Sequence, residues 1–209
     1  MKHDSLIFDL DGTLWDTTEQ CAKAWNIGLA RLGISSREIT TADIAAVTGL
    51  PYDKCVSVTF PEASPEDLSK LVDYLNIAEE EIILAEGGRL FDGVAKGLRK
   101  LGRRFPLFIV SNCQSWYLDF FLSWSGLKPL FKDKESYGNT GMSKAENIAL
   151  IKKRNQLLTP VYIGDTTNDY NAAMEAKIDF IHLKYGFGDP VDGILSLDNF
   201  DELVDSLLS

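Results

Sequence analysis

Short apolar runs ending in polar residues recur along the chain and set its architecture. Ser5-Leu-Ile-Phe-Asp9 has the pattern of a buried strand with an acid at its C-terminal tip. From Thr17 to about Glu86 no stretch reads as a strand. Cys21, Trp25, Leu29 and Leu32 instead fall on one helical face, closed by Gly33, and Ile44 and Val47 ahead of Gly49-Leu-Pro51 predict a second, short helix with a loop behind it. Ser64-Pro65-Glu66-Asp67 is a helix start: Ser can cap, Pro fits the first turn, and acids suit the positive end. The periodicity runs on through Leu68, Leu71 and Leu75 to Ile83, with a break expected near Asn76, until Gly87-Gly88 ends it. Helices are then expected over 94–101, 114–124, 144–153 and 170–176, and strands over 105–110, 161–163 and 180–183.

Short apolar strands alternating with helices imply an α/β fold, a parallel sheet covered by helices on both faces. The helical stretch 17–86 is then an insertion into a core made of 1–16 and 87–209, and the expected molecule has two lobes with a substrate-sized cleft between them.

Composition narrows the partners. A formal net charge of −10 argues against a nucleic-acid binder, whose affinity rests on cationic side chains meeting phosphates, yet one pocket on an acidic protein can still hold a small anion. The apolar runs are too short to span a bilayer. Cys21, Cys55 and Cys113 are far apart and only His3 and His182 accompany them, which argues against a zinc site. The odd cysteine count, with no signal peptide read at the N-terminus, leads to an expectation of the cytoplasm.

Four stations carry candidate chemistry. In Asp9-Leu-Asp11-Gly-Thr13 the strand alternation would turn both acids to one side, where two close carboxylates call for a cation or for one retained proton, and Gly12 allows a sharp turn. Ser111-Asn112, directly after a strand and ahead of a helix, offers a hydroxyl and amides suited to phosphate. Lys144, at the start of a helix, can balance anionic groups. Gly164-Asp165-Thr-Thr-Asn-Asp169 again ends a buried strand in acid, and Asp165 together with Asp9 makes the partial carboxylate cage that Mg²⁺ favours. All four fall at one edge of a parallel sheet, where ligands bind in such folds.

In that order and combination the stations resemble the haloacid dehalogenase-like hydrolase superfamily, in its branch with a helical cap inserted after the first motif and on its phosphoglycolate phosphatase-like side. The resemblance covers essentially the whole chain. It implies a Rossmann-like core with strand order 5-4-1-2-3 and a Mg²⁺-dependent phosphatase acting on a small phosphorylated metabolite. By the same resemblance Asp9 is the nucleophile, Mg²⁺ is held by Asp9, the Asp11 carbonyl and Asp165, and Ser111, Asn112 and Lys144 surround the phosphoryl group. Asp169 supports the metal waters or Lys144. Asp11 would pass a proton to the leaving alcohol and then take one from water. Departing halide needs no such proton, so Asp11 argues against dehalogenation. Ala145 in place of a common Pro, and Ala176-Lys177 in place of Ala-Gly, blur the subfamily without removing a functional side chain.

Other readings stay open. A sugar-phosphate mutase on this fold typically recruits a cap histidine, which 17–86 lacks, and a phosphonate hydrolase would want a cap lysine, for which Lys54 is a faint match. A non-catalytic phospho-acceptor or binding protein is the alternative outside enzymes, although such modules are shorter and carry adjacent acids at the first strand.

Overall fold

The computed structural model describes residues 2–34, 37–189 and 191–209. Strand β1 (Ser5–Phe8) opens the chain and is followed by a two-residue strand β2 (Trp15–Asp16). Helices α1 (Thr18–Arg31), α2 (Thr41–Val47), α3 (Tyr52–Thr59) and α4 (Pro65–Glu86) come next, and β3 (Arg89–Leu90) returns the chain antiparallel to β2. The remainder alternates: α5 (Val94–Leu101), β4 (Leu107–Ser111), α6 (Ser115–Trp124), β5 (Phe131–Ser136), α7 (Tyr137–Thr140), α8 (Lys144–Arg154), β6 (Pro160–Gly164), α9 (Thr167–Glu175), β7 (Asp179–Leu183), β8 (Ser196–Leu197) and α10 (Phe200–Leu208).

Six strands form one sheet in the order β5-β4-β1-β6-β7-β8, and every pair in it is parallel. Counted along this sheet alone, the first five strands take the expected 5-4-1-2-3 arrangement, and the short β8 extends it at one edge. Side-chain alternation sends Leu6, Phe8, Leu107, Ile109, Val161 and Ile163 to one face, against Leu98, Phe121 and Phe200. Ile7, Phe108, Val110 and Tyr162 go to the other face, against Ile148, Ile151 and Ala173 of α8 and α9. Because both faces are covered, the central strands read as unbroken apolar runs.

Several elements differ from the sequence reading, each for a physical reason. Helix α4 is continuous where a break was expected at Asn76, because the Asn76 carboxamide oxygen is taken by Gln114 Nε2 at 3.0 Å instead of competing for its own helix backbone. Strand β5 carries Lys132, Asp133, Lys134 and Glu135, a charged pattern suited to a sheet edge, and so lacks the apolar signature. Helix α3 continues from Pro51 where only a loop was read, because the Pro51 carbonyl accepts from the amides of Lys54 and Cys55 and the helix buries Cys55 and Val56.

Helix α4 starts with Ser64 Oγ accepting from Asp67 N and carries a buried stripe at Leu71, Leu75, Glu79 and Ile83, four residues apart. Helix α1 crosses it closely at Gly28, where a Cβ would stand 2.8 Å from Leu75 Cδ2. Leu75 is fully buried, while its neighbour Tyr74 is 46% exposed. Leu75→Ala should therefore lower the unfolding free energy by about 2–5 kcal/mol in urea titration. Tyr74→Ala should cost less than about 1 kcal/mol.

Candidate active site

The chain delivers its polar residues to the C-terminal edge of the sheet. Asp9 follows β1, Ser111 ends β4, Asp165 follows β6, Lys144 is the first residue of α8 and Asp169 lies in the first turn of α9. All five are buried. Burial alone would lower the Lys144 ammonium, but the charges of Asp169 and Asp9 outweigh it and hold the group well above its ordinary value. Lys144 Nζ donates to Asp169 Oδ1 at 2.6 Å and forms an ion pair with Asp9 Oδ1 at 3.0 Å, too misaligned to count as a hydrogen bond. Asp169 Oδ2 accepts from the Thr166 hydroxyl at 2.7 Å and from the amides of Thr166 and Asp165 at 3.0 and 3.2 Å. Asp169 is thus committed as the acid of the α9 capping box and as the anchor of Lys144.

Asp165 sits in a cradle. Its Oδ1 accepts from Thr13 Oγ1 at 2.9 Å and its Oδ2 from Phe187 N at 2.7 Å. Glycine is required on both sides: a Cβ on Gly12, whose φ is +79°, would stand 2.2 Å from Asp165 Oδ2, and one on Gly186 would stand 2.3 Å from the same atom. His182 Nε2 meets the Asp165 carbonyl at 3.1 Å, and the Tyr185 hydroxyl donates to the Thr13 carbonyl at 2.6 Å, fixing both walls.

Carboxylate oxygens of Asp9, Asp165 and Asp169 come within 4.8 Å of one another. Three acids and one lysine leave two formal negative charges in a buried space, and this raises Asp9 to about 6, first through burial and then through the charge of Asp169. Burial, with Asp169 and Asp9, pushes Asp165 well above the usual carboxylate range. A hard divalent cation on oxygen donors resolves such an imbalance, and the donor set here is all oxygen. The residues present therefore fit a metal of that class, with Asp9 and Asp165 the acids not committed to a helix cap.

Asp11 lines the same cavity as Asp9 but takes partners of its own. Its Oδ1 accepts from the Tyr117 hydroxyl and from Trp15 Nε1 at 3.1 Å, and the Tyr117 oxygen also lies 2.6 Å from Thr17 Oγ1. Burial raises Asp11 to about 7 against the pull of the Tyr117 hydrogen bond, with the charges of Asp9 and Glu79 adding to the rise. Such a group can hold or release a proton near neutrality.

A cavity of about 70 Å³ lies between this edge and helices α1 to α4, and Asp9, Asp11, Ser111 and Asn112 line it. Ser111 Oγ accepts from Cys113 N at 3.4 Å. The Asn112 side chain does not close a ring around Asp9; its Nδ2 reaches across to the Gly49 carbonyl at 2.8 Å, joining the sheet edge to the loop between α2 and α3.

Sequence patterns missed three contributors. Tyr117 belongs to an aromatic run at helical spacing and reads as packing. The Gly186-Phe-Gly188 loop carries no functional side chain, and its only signal is two glycines just after a strand. Glu79 is hidden in Glu79-Glu80-Glu81, and its signal is its place on the apolar stripe of α4.

Lys144→Met, which keeps most of the volume but removes the cation, should lower stability by about 3–5 kcal/mol in metal-free urea titration, since Asp9 and Asp169 would be buried without it. A loss under about 1 kcal/mol would mean that these acids discharge by taking up protons.

Known proteins place this geometry. The family model for haloacid dehalogenase-like hydrolases matches residues 6–183. A phosphoglycolate phosphatase from Photobacterium profundum is 27% identical over 96% of this chain and 93% of its own length. One from Colwellia psychrerythraea is 29% identical over 99% and 97%. A haloacid dehalogenase-like hydrolase structure from Streptococcus pneumoniae superposes with a TM-score of 0.86 at 21% identity, covering 99% of both chains. With the match spanning the sheet, the helical insert and all four polar stations, the chain belongs to the haloacid dehalogenase-like hydrolases, as an enzyme of the phosphatase kind.

Proposed function

We propose that the protein hydrolyses a small phosphate monoester with Mg²⁺ as cofactor and Asp9 as nucleophile. The observation that carries this reading is the buried group at the sheet edge, in which Lys144 faces Asp9 while Asp165 and Asp169 crowd the same space. The metal, held by Asp9, the Asp11 carbonyl and Asp165, would offset the charge of the phosphoryl oxygens.

Asp9 attacks phosphorus in line, the bond to the ester oxygen breaks, and the phosphoryl group is left on the Asp9 carboxylate. Lys144 keeps Asp9 ionised before attack and faces the transferring group. Ser111 and Asn112 border the same space. Asp11, held by Tyr117 and Trp15, gives its proton to the departing alkoxide. It then takes one from the water that attacks phosphorus and frees Asp9. Residues 17–86 act as a cap: the hydrogen bond from Asn112 to Gly49 holds them over the site, and they lift to exchange substrate and product. Return of the phosphoryl group to substrate is disfavoured because both histidines lie outside this segment, and His182 is occupied with the Asp165 carbonyl and Ser196.

Two experiments test the reading. Chelation should abolish turnover of p-nitrophenyl phosphate, Mg²⁺ should restore it, and Ca²⁺, with its looser and larger coordination, should not. Mg²⁺ should also raise the melting temperature of the apoprotein, and less so in Asp9→Asn, which itself should lack turnover. Full activity in chelator would remove the metal from the mechanism.

Asp11→Asn should slow cleavage of an alkyl phosphate by about 10²–10⁴-fold, the usual worth of a general acid. An aryl phosphate, leaving as a stabilised phenolate, should lose less in that step and show a burst followed by slow turnover in rapid-quench measurements. Equal losses for both esters without a burst would leave Asp11 a structural role only.

A further inference from the structure

The cavity above Asp9 has an unusual charge balance for a phosphatase pocket. Among the described residues that line it there is no lysine, arginine or histidine, while Asp9, Asp11 and Glu79 all do. Lys144 is outside that lining and pairs with Asp9 and Asp169. Glu79 is the acid on the buried stripe of α4, 6% exposed, and nothing in the reaction proposed above employs it. Cys21 Sγ donates to its Oε1 at 3.0 Å and Trp25 Nε1 to its Oε2 at 3.2 Å. Burial raises Glu79 above its ordinary value against the pull of these bonds, and its oxygens keep lone pairs to offer.

Two further polar groups in the lining have bonding capacity to spare. The buried Tyr52 hydroxyl pairs with Glu79, which leaves its oxygen able to accept. Asn112 Oδ1 is buried and unpartnered, and its direction is fixed because Nδ2 of the same amide is held by the Gly49 carbonyl. Buried polar atoms without partners are uncommon, and one that lines a cavity marks where water or a ligand supplies the missing bond.

We propose that the substrate is a small phosphate monoester whose alcohol part carries free hydroxyl groups and no carboxylate, with Glu79, Tyr52 and Asn112 receiving those hydroxyls. This rests on the phosphatase reading and sharpens it. A carboxylate on the leaving alcohol would be buried beside Glu79 with no cationic side chain among the described lining residues to meet it, and an unpaired buried charge is unfavourable. A hydroxyl instead donates to Asn112, to Glu79 or to the Tyr52 oxygen. The pocket of this chain is thus set against phosphoglycolate, the ester named for its relatives from Photobacterium profundum and Colwellia psychrerythraea.

Glycerol 3-phosphate and 2-phosphoglycolate, alike in size and differing in this feature, provide the test. Titration calorimetry on the Asp9→Asn variant in Mg²⁺ measures their binding without turnover. Glycerol 3-phosphate should bind at least about tenfold more tightly. Adding Glu79→Gln, which replaces the carboxyl by a carboxamide at nearly constant shape, should shrink that ratio by about tenfold. Should that substitution unfold the chain, adding Tyr52→Phe to Asp9→Asn keeps Glu79 and should weaken glycerol 3-phosphate alone. Equal or tighter binding of phosphoglycolate, binding of neither ester, or a ratio unmoved in a folded Glu79 or Tyr52 variant would overturn the proposal. Failure of the phosphatase reading has a separate signature: the wild-type enzyme would release no phosphate from any ester, p-nitrophenyl phosphate included, whatever the binding ratio.

Discussion

One buried ammonium holds the centre of this molecule together. Lys144 is the cation against which Asp9 and Asp169 are buried, and it joins the end of β1 to the first turns of α8 and α9. Desolvating such charges costs several kcal/mol per ion unless geometry and hydrogen bonds return it, and here every neighbouring loop is shaped to do so. Thr166 caps α9 and binds Asp169 with the same hydroxyl, so helix start and charge anchor are one structure. Thr13 and the Phe187 amide do the equivalent for Asp165. The group remains short of positive charge even so, and this deficit attracts a divalent cation.

The fold contributes by concentrating loops. Parallel strands all end at the same edge, so residues more than a hundred positions apart become neighbours without any long-range pairing of side chains being needed to bring them there. The insertion of α1 to α4 after β2 then roofs that edge with an independent surface. The edge and the roof can vary separately, since Glu79 and Tyr52 lie on helices that carry none of the residues around Asp9.

Much of this was legible from sequence because it follows local rules. Apolar strands buried on both faces announce themselves, as β1, β4, β6 and β7 do, and acids or a lysine at their ends are conspicuous against that background. Strand β5 was silent because an edge strand is protected from aggregation by the same charges that erase its apolar pattern. Asn76 suggested a break because the carboxamide's competition with a helix depends on what else it can bond, and Gln114 is 38 residues away. The site divides in the same way. Asp9, Lys144, Asp165 and Asp169 stand out by position, whereas Tyr117 and Glu79 are defined by what they touch: one looks like core packing in an aromatic run and the other like a solvated charge in a run of three glutamates.

The seam between roof and sheet edge has its own consequence. Two of its hydrogen bonds, from Asn112 to the Gly49 carbonyl and from Gln114 to Asn76, join uncharged amides and carbonyls. Each exchanges readily for water at a net cost of about 1 kcal/mol. Dissolved salt screens charges and leaves such dipolar contacts nearly untouched. A seam of this kind keeps the same strength in dilute and in concentrated salt, so temperature and whatever fills the cavity loosen it more than ionic strength does.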